Sequence, residues 1–313
     1  MARITTHLST FPVELIDHTV DFLHDDVQSL WSCTSVSRAF LRSARSHLFH
    51  NLYIGDEVSK HGGRDYTHFL NFLQRTPEVH SYVRHLKLGR RHPNDGSCQP
   101  EVCWHVVGEI LSYLPYLHTF AFGKGVLVAC SCTDASLACR PSPGTALRLK
   151  TLSLDSAGVA APQDLCALLR VFSGVHTLTV TNLFVLRVAP AFFRCGVMEN
   201  PSKRDQTPTD SLKVRLDVQS LVLDTAHARD PNAFELVSCL LGYLNSHALR
   251  SITFGFDQQR QIKPFGALIA RSAEVIEHLT LQLPAHPHAE FAGEYVDTSE
   301  VAPVLTTRRS PSG

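Results

Sequence analysis

Leu149-Lys150-Thr151-Leu152-Ser153-Leu154 (LKTLSL) has apolar residues at its first, fourth and sixth positions, with Thr151 and Ser153 set between the last three. From Leu152 back to Thr151 and on to Leu154 the period is two, that of a strand with one face in a core and the other in water. The pattern apolar-x-x-apolar-x-apolar recurs at Val83-x-x-Leu86-x-Leu88, Leu117-x-x-Phe120-x-Phe122, Val175-x-x-Leu178-x-Val180, Val218-x-x-Leu221-x-Leu223, Leu249-x-x-Ile252-x-Phe254 and Ile276-x-x-Leu279-x-Leu281. Successive starts lie 34, 32, 26, 43, 31 and 27 residues apart. Such spacing marks a repeat architecture in which each unit is one supersecondary element.

Working outward, most units follow a segment with helical character: THFLNFLQ (67–74), EVCWHVVGEILSYLPYL (101–117), PQDLCALLRVFSGV (162–175), PNAFELVSCLLGYLNS (231–246) and KPFGALIARSAEVIEHL (263–279). Pro at or near the start of the last three suits a first helical turn, where a missing N–H costs nothing. Strands alternating with helices place the chain in the α/β class, α+β overall. Two architectures are compatible, an open doubly wound sheet and a solenoid. Strands of a doubly wound parallel sheet are covered on both faces and read as continuous apolar runs. These strands instead carry His85/Lys87, Thr119/Ala121, Thr151/Ser153, Thr177/Thr179, Ser220/Val222, Ser251/Thr253 and His278/Thr280 between their apolar residues. One face is therefore wet, and the expectation is a right-handed βα solenoid with a one-sided parallel sheet.

The repeats occupy 66–283, interrupted by long insertions at 89–101, 123–146 and 194–217. Residues 55–65 read as a polar, Gly-containing linker, and residues 1–8 as a disordered tail. Residues 284–313 lose the pattern and are expected to be a tail or a loose cap over the last strand.

Ahead of the repeats, residues 9–54 form a unit of different character, with Phe11–Ile54 reading FPVELIDHTVDFLHDDVQSLWSCTSVSRAFLRSARSHLFHNLYI. Pro12 and Glu14 suit the first turn of a helix. Leu15, Ile16, Thr19, Val20 and Leu23 form an apolar stripe that Val13 and Phe22 widen to about half the circumference, more than the roughly 100° a single core requires. Asp25 or Asp26 can cap a second helix carrying Val27, Leu30 and Trp31, and a third begins near Ser37 with Phe40, Leu41 and Leu48. Three short helices in about 45 residues build a core worth no more than a few kcal/mol. Surplus apolar surface on so small a unit implies a covering partner.

Pro12-x-Glu14-Leu15, Val20-x-Phe22-Leu23, Leu30, Val36-Ser37-Arg38, Phe40 and Leu48-Phe49 resemble the F-box motif, with Phe11 where that family usually has Leu. The resemblance implies docking on the adaptor subunit of an SCF-type cullin–RING ubiquitin ligase, and through it on a cullin. It implies an adaptor-binding set of Phe11, Pro12, Leu15, Ile16, Val20, Leu23, Leu30, Trp31 and Val36. The repeats resemble the degenerate leucine-rich repeats often found behind an F-box, although the consensus Asn or Cys after the L-x-x-L-x-L core is not kept. Together these imply a non-enzymatic substrate-recognition subunit, or alternatively a non-degradative leucine-rich-repeat scaffold. The wet-face residues His85, Lys87, Thr119, Thr151, Ser153, Thr177, Thr179, Ser220, Val222, Ser251, Thr253, His278 and Thr280 are the candidate surface for an unknown target protein.

Composition narrows the alternatives. Lys+Arg and Asp+Glu are both 29, so nothing favours nucleic acid or an anionic membrane as partner. MARITTHLST has no apolar h-region and no run of 18 apolar residues follows, which leads to the expectation of a cytoplasmic and/or nuclear protein. Nine cysteines in such a compartment are expected to be reduced. Cys130-x-Cys132 with Cys139, and Cys98 with Cys103, lack the paired spacing of a zinc knuckle, so no metal or other cofactor is expected. Cys33, Cys166 and Cys239 read as small core residues. His24-Asp25-Asp26 reads as a helix cap and Gly123-Lys124-Gly125 as a turn rather than a phosphate loop. No G-x-S-x-G, H-E-x-x-H or G-x-G-x-x-G is present, and no catalytic constellation emerges.

Overall fold

A computed structural model describes residues 12–55, 64–89, 101–128, 147–185, 215–224, 233–255, 262–282 and 304–308. Phe11, Cys98, Cys130, Cys132, Cys139, residues 1–8 and most of the three insertions lie outside the described residues.

Three helices open the described chain: α1 (Val13–Asp21), α2 (Val27–Val36) and α3 (Arg38–His50). Pro12 stands one position before α1, where its carbonyl accepts the amides of Leu15 and Ile16. Asp26 caps α2, its carboxylate accepting from the Ser29 amide at 3.1 Å and the Ser29 hydroxyl at 2.6 Å. Ser37, in an extended conformation, separates α2 from α3 and accepts the Phe40 amide through its hydroxyl. The helices close on a small core of Ile16, Val20, Leu30 and Ala44, ringed by Leu23, Cys33, Phe40 and Leu48.

α3 runs without a loop into β1 (Asn51–Ile54), the first strand of the main sheet. The others are β2 (His85–Gly89), β4 (Thr119–Gly123), β6 (Leu147–Asp155), β8 (Phe172–Thr181), β10 (Asp217–Asp224), β11 (Ser251–Gly255), β12 (His278–Gln282) and β13 (Val304–Arg308). The sheet order is β1-β2-β4-β6-β8-β10-β11-β12-β13, parallel throughout except for the antiparallel β12–β13 pair. The fold is α/β with a mostly parallel, open sheet. Strand order follows chain order without reversal, so the switch point of a doubly wound sheet has no counterpart here. All seven pattern-bearing segments are strands of this sheet.

Helices α4 (Arg64–Arg75), α5 (Trp104–Ser112), α6 (Pro162–Leu169), α7 (Ala233–Tyr243) and α8 (Ile262–Ser272) connect strands, and each packs on the next in chain order. α6 starts on Pro162, and Asp164 accepts the Ala161 amide at 3.1 Å to close the first turn. The apolar pattern positions form continuous rows across the sheet: Leu86, Phe120, Leu152, Leu178, Leu221, Ile252 and Leu279 stand side by side. The rows merge with the inner faces of the helices into one core, where Phe254 stacks on Phe265 at 3.9 Å between centroids. Each fully buried Leu or Phe contributes roughly 1.5–3 kcal/mol.

Several elements differ from the expectation. Residues 51–54, grouped above with the helical unit, belong to the sheet, and α4 begins at Arg64, inside the stretch read as linker. Glu101–Cys103 is a strand (β3), not the start of α5, and it is the edge of a second parallel sheet whose order continues through β5 (Val126–Val128), β7 (Gly158–Val159) and β9 (Phe184–Val185). The helix expected over 162–175 ends at Leu169, because Phe172 and Val175 continue a strand buried on one face. Sharp corners join the two sheets at Lys124, Ser156 and Asn182, with φ of 52°, 51° and 52°. Their amides stack in series, Lys124 donating to Asp155, Ser156 to Thr181 and Asn182 to Asp224. At the far end β13, within the stretch read as a tail, covers the open edge of β12.

Candidate functional site

Two surfaces stand out. The first is on α1 and α2, whose main packing partner is α3. The helices bury Ile16, Val20 and Leu30 within their own core, at 3%, 0% and 1% exposure. In the described structure these three side chains are sealed between the three helices, where they hold the unit together. Leu23 is half-buried against the same core. Pro12, Leu15, Trp31 and Val36 face water. Val13, Phe22 and Val27 join them in the open, with Phe22 75% exposed, although sequence reasoning left all three out of the set. Trp31 lines a small groove of about 200 Å³ with Leu41, Phe49 and Phe72, where the helical unit meets α4. Val13 on one side and Leu15 with Phe22 on the other flank the buried Ile16 and Val20, so apolar surface stays exposed along both edges of α1, as it does at Val27, Trp31 and Val36 of α2.

The second surface is the wet face of the main sheet, where register turns thirteen scattered sequence positions into two rows. His85, Thr119, Thr151, Thr177, Ser220, Ser251 and His278 are consecutive partners across seven strands. Lys87, Ala121, Ser153, Thr179, Val222, Thr253 and Thr280 form the next row, with Tyr53 at its start. Most of these side chains are half-buried by their neighbours, while Lys87 and His278 are exposed. The Lys87 ammonium sits over the Tyr53 ring at 5.8 Å.

Sequence reasoning missed a third row, at the residue just before each outward position: Arg84, His118, Lys150, His176, Gln219, Arg250 and Glu277, the last two ion-paired at 3.4 Å. The signal was present as a recurrent basic or imidazole residue at the second place of the six-residue pattern. Backbone bonding keeps the row in line, since the Arg84 carbonyl accepts from His118 and Thr119, and the His118 carbonyl from Lys150 and Thr151. A groove of about 700 Å³ opens beside it, lined by His118, Arg148, Lys150, Thr151, His176, Asp217 and Gln219 among others. Thr151 connects the groove to the predicted target surface. Burial first, then Lys150, Arg84 and His50, hold the His118 pKa below the ordinary histidine value. His85 is lowered likewise by burial and then by His50, His118 and Lys150. At the opposite end of the strands the same face carries Asp155 and Asp224. From β2 to β8 the strand starts carry basic or imidazole side chains, while the starts of β10 and β12 bring Asp217 and Glu277.

Asp155 accepts from the Ser156 and Thr181 hydroxyls, which fixes a corner rather than activating either oxygen. Asp26 is taken up as a cap, as read from the sequence. Among the described residues no group of three His, Cys, Asp or Glu side chains is placed to hold a metal ion, and no helix is long and apolar enough to cross a membrane. No protein-family model matches the chain, and comparison with curated proteins gives no match either.

Proposed function

We propose that the chain is the substrate-recognition subunit of an SCF-type cullin–RING ubiquitin ligase, with α1–α3 as an F-box on the adaptor and the repeats as a leucine-rich-repeat-like solenoid that carries a target protein. The observation that carries the reading is the division of apolar residues in the front unit: Ile16, Val20, Leu30 and Ala44 satisfy its own core, while Val13, Leu15, Phe22, Val27, Trp31 and Val36 remain in water. An adaptor groove that takes helices by their apolar faces would bury this surplus. The solenoid reading is supported by strand order that follows chain order, by helices that pack serially, and by a sheet wet on one face.

The mechanism is positional. α3 passes directly into β1, so the docking unit and the target-bearing sheet share one continuous piece of chain. A target held on the sheet has its lysines kept near the charged E2 enzyme at high effective concentration, and the receptor itself does no chemistry.

Proximity labelling with the full chain and with a Leu15→Asp/Phe22→Asp variant tests the reading. Both positions are exposed, so the variant is expected to keep the fold, which circular dichroism checks. The expected result is a set of partners labelled by both proteins that gain ubiquitin chains and turn over only with the wild type. Equal ubiquitination and equal lifetimes with the two proteins would overturn it and favour the scaffold.

A further inference from the structure

The groove at the strand starts of β4, β6, β8 and β10 has a chemistry that the wet face as a whole does not announce. Arg148 and Lys150 point their charges to it from one strand, and among the described residues no carboxylate forms an ion pair with either. Gly174, opposite Arg148, leaves room above the sheet: a Cβ there would meet the Arg148 Nε at 3.3 Å. His176 donates Nδ1–H to Gln219 Oε1 at 2.7 Å, because an amide oxygen can only accept. The acid of the groove, Asp217, already accepts from Asn245 Nδ2 at 2.7 Å.

We propose that this groove binds an acidic segment of the target protein, an extended run of Asp and Glu side chains lying across the starts of β4, β6 and β8. The inference rests on the reading of the wet face as the target surface. The polarity of that face selects the occupant. A nucleic-acid backbone carries its charge along its whole length and would meet Asp155 and Asp224 at the other end of the strands. An acidic peptide segment confines its charge to the basic starts of β2 to β8. Strands spaced about 4.8 Å apart set Arg84, His118, Lys150 and His176 in one line, along which an extended acidic segment can lie. The guanidinium of Arg148 can take the two oxygens of one carboxylate through parallel N–H···O bonds.

His118 adds a pH dependence with a definite sign. It is faced by His50 from α3, Arg84 and His85 from the β2 side, Arg148 and Lys150 from β6, His176 from β8 and Asp217 from β10. In the free protein burial first, and then Lys150, Arg84 and His50, hold its pKa below the ordinary histidine value. A bound carboxylate supplies the missing counter-charge, so binding takes up a proton and tightens as pH falls from about 7.5 to about 6.

The test is fluorescence anisotropy of a labelled peptide of alternating Glu and Ser, titrated with the full chain, beside a Lys/Ser peptide and a single-stranded oligonucleotide. The expected result is saturable binding of the Glu peptide only, weakened roughly tenfold or more by Arg148→Glu/Lys150→Glu and by added salt, and tightened on acidification. Lys150→Gln, a milder change, should weaken it by a smaller factor at an unchanged melting temperature. Equal affinity for the Glu and Lys peptides, preference for the oligonucleotide, or indifference to both substitutions would overturn the proposal. Adaptor binding by the same samples, measured in parallel, reports on the receptor reading separately, since Arg148 and Lys150 lie outside the docking helices.

Discussion

The amide of Ser156 donates to the carbonyl oxygen of Thr181 at 2.9 Å while Ser156 itself is held at φ 51°. The same corner recurs one repeat earlier at Lys124 and one repeat later at Asn182, so β4, β6, β8 and β10 are tied each to the next where the chain turns toward the smaller sheet. A β-branched side chain tolerates that conformation poorly. Ser156→Val should therefore destabilise the protein by roughly 1–3 kcal/mol, whereas Ser156→Gly should be near neutral or slightly stabilising. Denaturant melts of the two variants check this, and equal losses would contradict it.

Phe254 and Phe265 stack inside the core where β11 meets α8. Phe254→Ala should cost about 3–5 kcal/mol and Phe254→Leu markedly less, because Leu refills most of the volume. The two melting temperatures, compared with wild type, measure the difference.

Stability should fall as the solution is acidified from about pH 7.5 to about 5.5. Burial is the first cause of the lowered pKa at His50, His85 and His118, with neighbouring cationic groups second. Their unfolded values lie near 6.5, so below about pH 7 the unfolded chain binds more protons than the native one and the slope favours unfolding. His85→Gln/His118→Gln should flatten the dependence of melting temperature on pH. An unchanged slope in that variant would contradict the assignment.

Cys166 Sγ lies 3.1 Å from Cys239 Sγ, between α6 and α7. The hydrogen bond from Cys166 lowers the Cys239 pKa to about 7, against burial and the Glu235 charge, and the same bond raises Cys166. Cys239 should therefore react with iodoacetamide before Cys166 near neutral pH, and Cys166→Ala should slow it. Mass spectrometry of timed samples gives the order.

The repeat strands were legible because alternation of Leu, Thr and Ser along each one reflects a physical difference between its two faces. The small sheet was not, since β7 and β9 are two residues each, too short for any period to show. The corners were hidden for another reason: Lys124 and Ser156 are ordinary residues forced to positive φ by the stacking of repeats, where local preference would have asked for glycine or asparagine. On α1 a helical wheel displays a wide apolar arc without saying which part of it a neighbour covers. Ile16 and Val20 turned out to be inside, Leu15 and Phe22 outside. The cationic row was visible as Arg84, His118, Lys150 and His176, but only register shows that they stand side by side.

Calorimetric titration of the purified adaptor subunit into the full chain tests the central claim most directly. The account predicts one-to-one binding with a negative heat-capacity change from apolar burial, and a loss of about a hundredfold or more in Leu15→Asp/Phe22→Asp at unchanged secondary structure. Equal affinity for wild type and variant, or no binding by either, would contradict it.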